Sequence, residues 1–252
     1  MRGVSQDRLR WVSFVSGTIG FLFLLFVLWK AAIQYPWSWQ APIRYHARFV
    51  QGWVATLGIA AESLLLSTSL GGLLTLLEFF SQGPLRWGLL LYIRLVRGTP
   101  ILVFTLVMYY LVAQALGVTD RWTAAVAILS TFHAAYLAEI LRGGIQSISQ
   151  SQWEAAQAVG LTFGQTIRYV ILPQALARIL PALAGQFLIL VKDSSILSVI
   201  AVDELTKASQ EVASLTYSTL ESYLLMALGY WVLTLPLDQL IRVWERTLHY
   251  ET

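Results

Sequence analysis

The sequence predicts an all-α, polytopic membrane bundle of about six transmembrane helices, and three observations lead there. Of 252 residues, 57% are hydrophobic and only 12% are charged. That is about half the charge of a soluble domain, too little polar surface to coat a globule in water. The mean hydropathy is +0.64. The apolar residues fall in long runs with arginines beside them, as membrane-flanking charges do. A net charge of +3 is too small to argue for nucleic acid as a partner. With no cysteine, disulfide frameworks, thiolate metal sites and dithiol redox pairs are excluded.

The first element is residues 11–29, uncharged over 19 residues, with Trp at both ends and Arg2, Arg8 and Arg10 before it. This run is longer than the apolar core of a signal peptide and is expected to be a retained span. A second span covers about 53–80, interrupted by Glu62 and ending near Glu78. The passage PLRWGLLLYIRLVRGTP places Arg86, Arg94 and Arg97 on a short helix expected at the membrane interface, and Gly98 and Pro100 read as a helix break. Further spans are expected at about 99–116, 122–141, 174–201 and 223–241. Between the last two, Leu205, Ala208, Val212 and Leu215 recur at helical spacing, which predicts a short amphipathic helix. With the N-terminus inside, most of the basic residues, including Arg86, Arg94, Arg142, Arg168, Arg178 and Arg242, fall on the cytosolic side, so both termini are expected there.

Residues 149–173, SQSQWEAAQAVGLTFGQTIRYVILP, are the least hydrophobic long passage of the middle of the chain. Ser151 and Glu154 have the spacing of a capping box, and Thr162 and Gln165 repeat it. Gly160 suits a left-handed helix end, and Pro173 a stop before the next span. The pattern predicts two short helices with a sharp joint, facing the cytosol. On local physics this is either a structured connection or a slim, alanine-rich helix that seats in another protein's groove.

Glu154, Ala155, Ala156, three residues, Gly160, nine residues, then Val170, Ile171, Leu172 and Pro173 resembles the EAA motif of the permease subunits of binding-protein-dependent ABC importers. Only Val170 departs from that pattern. YIRLVRGTPILVFTLVMYY, AAYLAEILRGGIQSI, LPQALARILPALAGQFLILVKDSSILSVIAVDELTKASQEVAS and LESYLLMALGY extend the resemblance to the polar amino-acid uptake branch, of histidine, glutamine and arginine type, over roughly residues 50–248. The resemblance implies a type I importer permease core over 51–252. Residues 1–50 then form an additional N-terminal helix with an outer loop. It also implies a coupling loop at about 143–173, with Glu154, Ala155, Ala156, Gly160 and Leu161 contacting an ATP-binding subunit. The implied partners are a dimer of ATP-binding subunits, a second permease chain (identical or related), an external solute-binding protein, membrane lipid and the amino acid. The implied location is the bacterial inner membrane.

The chain holds no cofactor of its own on this reading. ATP and Mg belong to the partner, because none of the three lysines sits in a Gly-Lys-Ser/Thr phosphate loop. No residue is expected to be catalytic or to bind a metal.

Charges inside apolar runs mark a wet passage or a buried partner. Lys192 and Asp193, with Ser194 and Ser195 beside them, are read either as interhelical pairing or as lining for an amino acid's α-groups. Glu62 is a candidate for meeting a basic substrate, and His133 is either a packing histidine or a pathway residue. Glu139 and Arg142, three apart, are expected to pair locally. An ion-gradient-driven carrier built on Glu62, His133, Lys192 and Asp193 is the alternative function, although it leaves the 149–173 passage without a purpose.

Overall fold

The computed structural model describes residues 3–248. The described residues are helical and contain no strand, in the order α1 (Gly3–Gln34), α2 (Gln40–Arg44), α3 (His46–Phe80), α4 (Pro84–Arg97) and α5 (Ile101–Val107), which runs on into a π-helical turn at Met108–Ala113. Then come α6 (Arg121–Gln146), α7 (Gln150–Ala158), α8 (Phe163–Thr166), a second π-helical turn at Ile167–Ile171 and α9 (Leu172–Asp193). A 3-10 segment, Ser194–Ile200, leads to α10 (Leu205–Thr216) and α11 (Thr219–Leu248). The chain separates into two compact units that meet between Trp39 and Gln40.

In the first unit, residues 16–34 of α1 are long and apolar enough to cross a bilayer. The end of α1 is tied down by aromatics. Trp37 donates from Nε1 to the Ala32 carbonyl at 2.7 Å, stacks on Trp39 at 5.4 Å and meets Tyr35 edge-on at 4.9 Å. Rings of this kind suit the headgroup layer, where one edge is wet and the face is apolar.

The second unit is organised around α6, which is buried from Ala124 to Ala138 on more than one face. Alanines at 124, 125, 134, 135 and 138 let the neighbouring helices come close. Along α3, the buried stripe runs Gly52, Thr56, Ile59, Ser63, Ser67, Gly71, Thr75 and Glu78 at three- and four-residue spacing, while Leu65, Leu66, Leu73 and Leu76 are exposed. This reverses a water-soluble helix: small and polar residues pack, and large apolar ones face lipid. The contact is tight. A Cβ on Gly71 would stand 2.8 Å from the Leu137 Cβ and 3.1 Å from the Ala134 carbonyl. Thr75 returns its hydroxyl to the Gly71 carbonyl at 2.8 Å, which satisfies it without a water.

Several expectations change. Among the described residues five helices are long and apolar enough to span, or up to six if the pair Pro84–Arg97 and Ile101–Ala113, bent by 115°, counts as one span. Thirteen helical residues after Pro100 extend only about 20 Å, so residues 99–116 do not cross alone. Glu62 does not interrupt α3, which is continuous through it. Nor does α4 lie wholly at the interface, because Ile93 and Val96 pack on Phe132 and Ala135 in the middle of α6. Tyr92 also donates to the Thr131 carbonyl at 2.7 Å. In α10, Leu205, Ala208 and Val212 are buried, whereas Leu215 is 69% exposed, because Ala213 takes the inward position of the last turn.

Candidate functional site

Two places gather some of the residues that the sequence singles out: the α7–α8 joint and a cavity beside the α4–α5 break.

α7 begins two residues earlier than the spacing suggests. Its N-cap is Ser149, with no side-chain cap bond, and Ser149 and Ser151 share a hydroxyl contact at 2.9 Å. The Ser151–Glu154 box is therefore not formed, and the Glu154 side chain is left at the surface. The helix ends as expected. Gly160 sits at φ +83°, its N–H donates to the Gln157 carbonyl at 2.9 Å, and Leu161 N–H reaches back to the Ala156 carbonyl at 3.1 Å. This six-to-one plus five-to-two pair is the Schellman pattern, and glycine takes its left-handed position without a Cβ penalty. The second box forms in full. Thr162 N–H donates to Gln165 Oε1 at 2.9 Å, and Gln165 N–H donates to Thr162 Oγ1 at 3.4 Å. Pro173 is no stop. Leu172 N–H bonds to the Ile167 carbonyl, the wide-turn pattern, so helix continues through Pro173 into α9.

The EAA residues divide by face. Ala156 is buried and Leu161 half-buried against the bundle, while Glu154, Ala155 and Gly160 are exposed. Val159, 76% exposed, and Phe163 stand beside them. Neither stands out in the sequence, since apolar side chains in a membrane protein are expected to meet lipid. Trp153 stacks on Phe163, and Phe163 on Phe79 at the end of α3, each at 6.3 Å. Gln174 of α9 donates to Gln152 at 3.2 Å, and Arg178 donates to the Ser147 hydroxyl at 3.0 Å. The joint is thus fastened to α3, α6 and α9 and presents a small apolar face with one carboxylate outward.

The second place is a cavity of about 350 Å³ where the break at Gly98–Pro100 meets α6 and α9. Arg97, Thr99, Tyr136, Gln186 and Asp193 line it, with Phe132 and Ile189 as apolar wall. His133 is fully buried behind it, with Nε2 3.5 Å from Asp193 Oδ2. Gln186 Nε2 lies 2.8 Å from His133 Nδ1. With the amide donating there, the ring proton sits on Nε2 and faces Asp193. On the other side Arg97 is 3.3 Å from Glu139 and 5.7 Å over the Tyr136 ring. Glu139 also pairs with Arg142, as its spacing suggests. The cavity therefore offers a carboxylate at one end, a guanidinium at the other, and an amide and rings between.

Of the charged and polar residues singled out inside apolar runs, only His133 and Asp193 are brought together. Lys192 is exposed beside Asp193 and outside the cavity lining. Ser194 is buried and turns its hydroxyl to the Val191 carbonyl at 2.8 Å. Ser195 is half-buried and also outside the lining. Glu62 is exposed on α3, where Trp122 donates to it at 3.0 Å. Gln186 and Tyr136 were missed because neither carries a charge to mark it in an apolar run. Arg97 was assigned to an interface, and only the bend turns it toward α6.

On the outer connection, Glu204 is fully buried as the N-cap of α10. It accepts from Lys207 N–H at 2.7 Å, Thr206 N–H at 2.8 Å and the Tyr230 hydroxyl at 3.1 Å. Burial pushes its carboxyl above the usual range, against those three donors. Arg48 bridges Asp203 at 2.6 Å and Glu211 at 2.7 Å nearby.

A helical bundle of this kind, with a short helical joint between two spans, is that of a polytopic membrane protein. Residues 67–250 match the model of the family described as binding-protein-dependent transport system inner membrane component, and the chain belongs to that family. It is a multi-pass permease subunit of an amino acid ABC importer. Among its relatives is the glutamine transport system permease protein GlnP of Escherichia coli, 37% identical over 224 residues, 85% of this chain and 98% of that one. The arginine transport system permease protein ArtQ of Bacillus subtilis is 34% identical over 200 residues, 79% of this chain and 88% of that one. A crystal structure of an amino acid ABC transporter with histidines superposes with a TM-score of 0.78 at 34% identity. It covers 84% of this chain and all of its own. The MetNI methionine ABC transporter, at 19% identity and a TM-score of 0.63, shares the fold.

Proposed function

We propose that this chain carries a polar α-amino acid across the bacterial inner membrane by alternating access, driven by ATP hydrolysed in a separate dimer of ATP-binding subunits. The observation that carries the coupling is the α7–α8 joint. It is anchored to the bundle through Ala156 and the Trp153–Phe163–Phe79 row, and Glu154, Ala155, Val159 and Gly160 are left outward. Closure of the ATP-binding subunits pulls on this joint within residues 143–173, and the spans of the 51–252 core rock as rigid bodies. A second permease chain, identical or related, completes the passage. An external binding protein delivers the cargo, and both termini lie in the cytosol. ATP and Mg stay in the partner subunits.

The cavity beside the α4–α5 break is the route's contact with the cargo. Asp193, backed by His133, meets the α-ammonium, Arg97 meets the α-carboxylate, and Gln186 and Tyr136 meet what lies between. The names of relatives that transport glutamine and arginine support a polar or basic side chain. The test is uptake by the complete importer in proteoliposomes with ATP inside and all ion gradients collapsed. Asp193→Asn is expected to lower uptake at least tenfold, the scale of losing one charged hydrogen-bond partner. Unchanged uptake would refute the role of the cavity. Uptake that needs an ion gradient and no ATP would establish the secondary-carrier alternative instead.

A further inference from the structure

A second cavity, of about 320 Å³, opens at the α7 end of the bundle between the last turn of α3, the first turn of α4 and the last turn of α6. Its wall includes Glu78, Ser81, Gln82, Arg86, Arg142 and Gln146. Glu78 is only 6% exposed, and its Oε2 is buried without a hydrogen-bond partner. A carboxylate held out of water in this way is costly unless something meets it. Arg142 is not free to do so. It lies within Coulombic reach of Glu78, but its guanidinium is bonded to Glu139 and, at 3.2 Å, to Gln146. Arg86, at the mouth of the cavity, is exposed and in no ion pair among the described residues. The volume is at the small end of the range for ligand sites.

We infer that this cavity binds a small zwitterion, its primary ammonium on the buried Glu78 carboxylate and its oxyanion on Arg86. A purely anionic ligand would be repelled by Glu78, and a purely cationic one would leave Arg86 unanswered. Three N–H donors on one ammonium suit a deep carboxylate that lacks donors of its own. The chemistry is shared by a free α-amino acid and by the phosphoethanolamine headgroup of a membrane lipid. The site is separate from the Arg97–Asp193 cavity, and the inference does not depend on that cavity's role.

The test uses the permease with its ATP-binding subunits in nanodiscs, without the external binding protein, carrying Asp193→Asn to weaken the other cavity, with radiolabelled L-glutamine as probe at equilibrium. Saturable binding is expected in phosphatidylcholine discs, weakened about tenfold by Glu78→Gln and likewise by Arg86→Gln. N-acetylglutamine and glutamine methyl ester, each lacking one charge, should fail to compete. The exposed Arg86 substitution keeps the test valid if the buried one disturbs folding. In phosphatidylethanolamine discs, loss of probe binding, with lipid retained in native mass spectra only while Glu78 and Arg86 are intact, assigns the headgroup as occupant. Undiminished binding there assigns the free amino acid. If the probe and the lipid both fail to bind, or if neither substitution matters, water alone meets Glu78 and the inference is overturned. A failure of this site leaves Asp193-dependent uptake untouched, so the two claims fall separately.

Discussion

Gly71 shows how a single missing atom sets the packing of the bundle. With α6 backbone and the Leu137 Cβ within about 3 Å of where its own Cβ would be, neither partner has a flexible side-chain end to move aside. Gly71→Val should cost at least the 1–3 kcal/mol of an overpacked core. A drop in the thermal stability of the detergent-solubilised importer, with α3 and α6 losing their contact in crosslinking, would report it. Asp120, the N-cap of α6, accepts from the Thr123 hydroxyl at 2.6 Å and from its N–H at 2.7 Å. Those bonds hold its carboxyl below the usual aspartate range. With the folded value depressed, its contribution is present above the unfolded value and disappears as pH falls through the folded one. Asp120→Asn keeps a good cap while removing the titration. Its acid-side stability curve should be flatter than that of the parent, and a curve of equal slope would show that the cap carries no linkage.

Among elements, the α7–α8 joint depends on one backbone conformation. Gly160 at φ +83° is open space for a side chain but the wrong half of conformational space for one. Gly160→Ala therefore tests strain alone, at about 1 kcal/mol. Gly160→Asp adds a charge on the outward face and is expected to uncouple ATP hydrolysis from uptake while leaving membrane insertion intact. Normal uptake by the Asp variant would remove the joint from the coupling path. The α4–α5 pair makes the complementary point. Gly98 and Pro100 were legible as a break, because both interrupt helical hydrogen bonding. The 115° turn, and with it the placing of Arg97 against Tyr136 and Glu139, comes from packing on α6.

For the whole molecule, orientation is open to direct measurement because the chain has no cysteine to remove. Single Val159→Cys and Tyr217→Cys variants, both at highly exposed positions on opposite sides of the expected topology, should label from opposite sides of the membrane. Val159→Cys should react only with permeant reagent in intact cells. Labelling of Val159→Cys from outside, with Tyr217→Cys protected, would invert the bundle and remove the coupling role of the α7–α8 joint.

Much of this was legible in the residues: membrane class, the spans around α3, α6, α9 and α11, the Gly160 joint and the Thr162–Gln165 box. Each rests on chemistry within a few neighbouring positions, namely apolar runs of bilayer length, a left-handed glycine, or a cap three residues from its partner. The cavities were not legible. His133, Gln186 and Asp193, or Glu78 and Arg86, lie on different helices, and which faces they share depends on crossing geometry that no local pattern encodes. In a bilayer the usual guide also fails, because exposed and buried positions are both apolar. The exposed leucines and the packed glycine–serine–threonine stripe of α3 are told apart only by what the other helices cover.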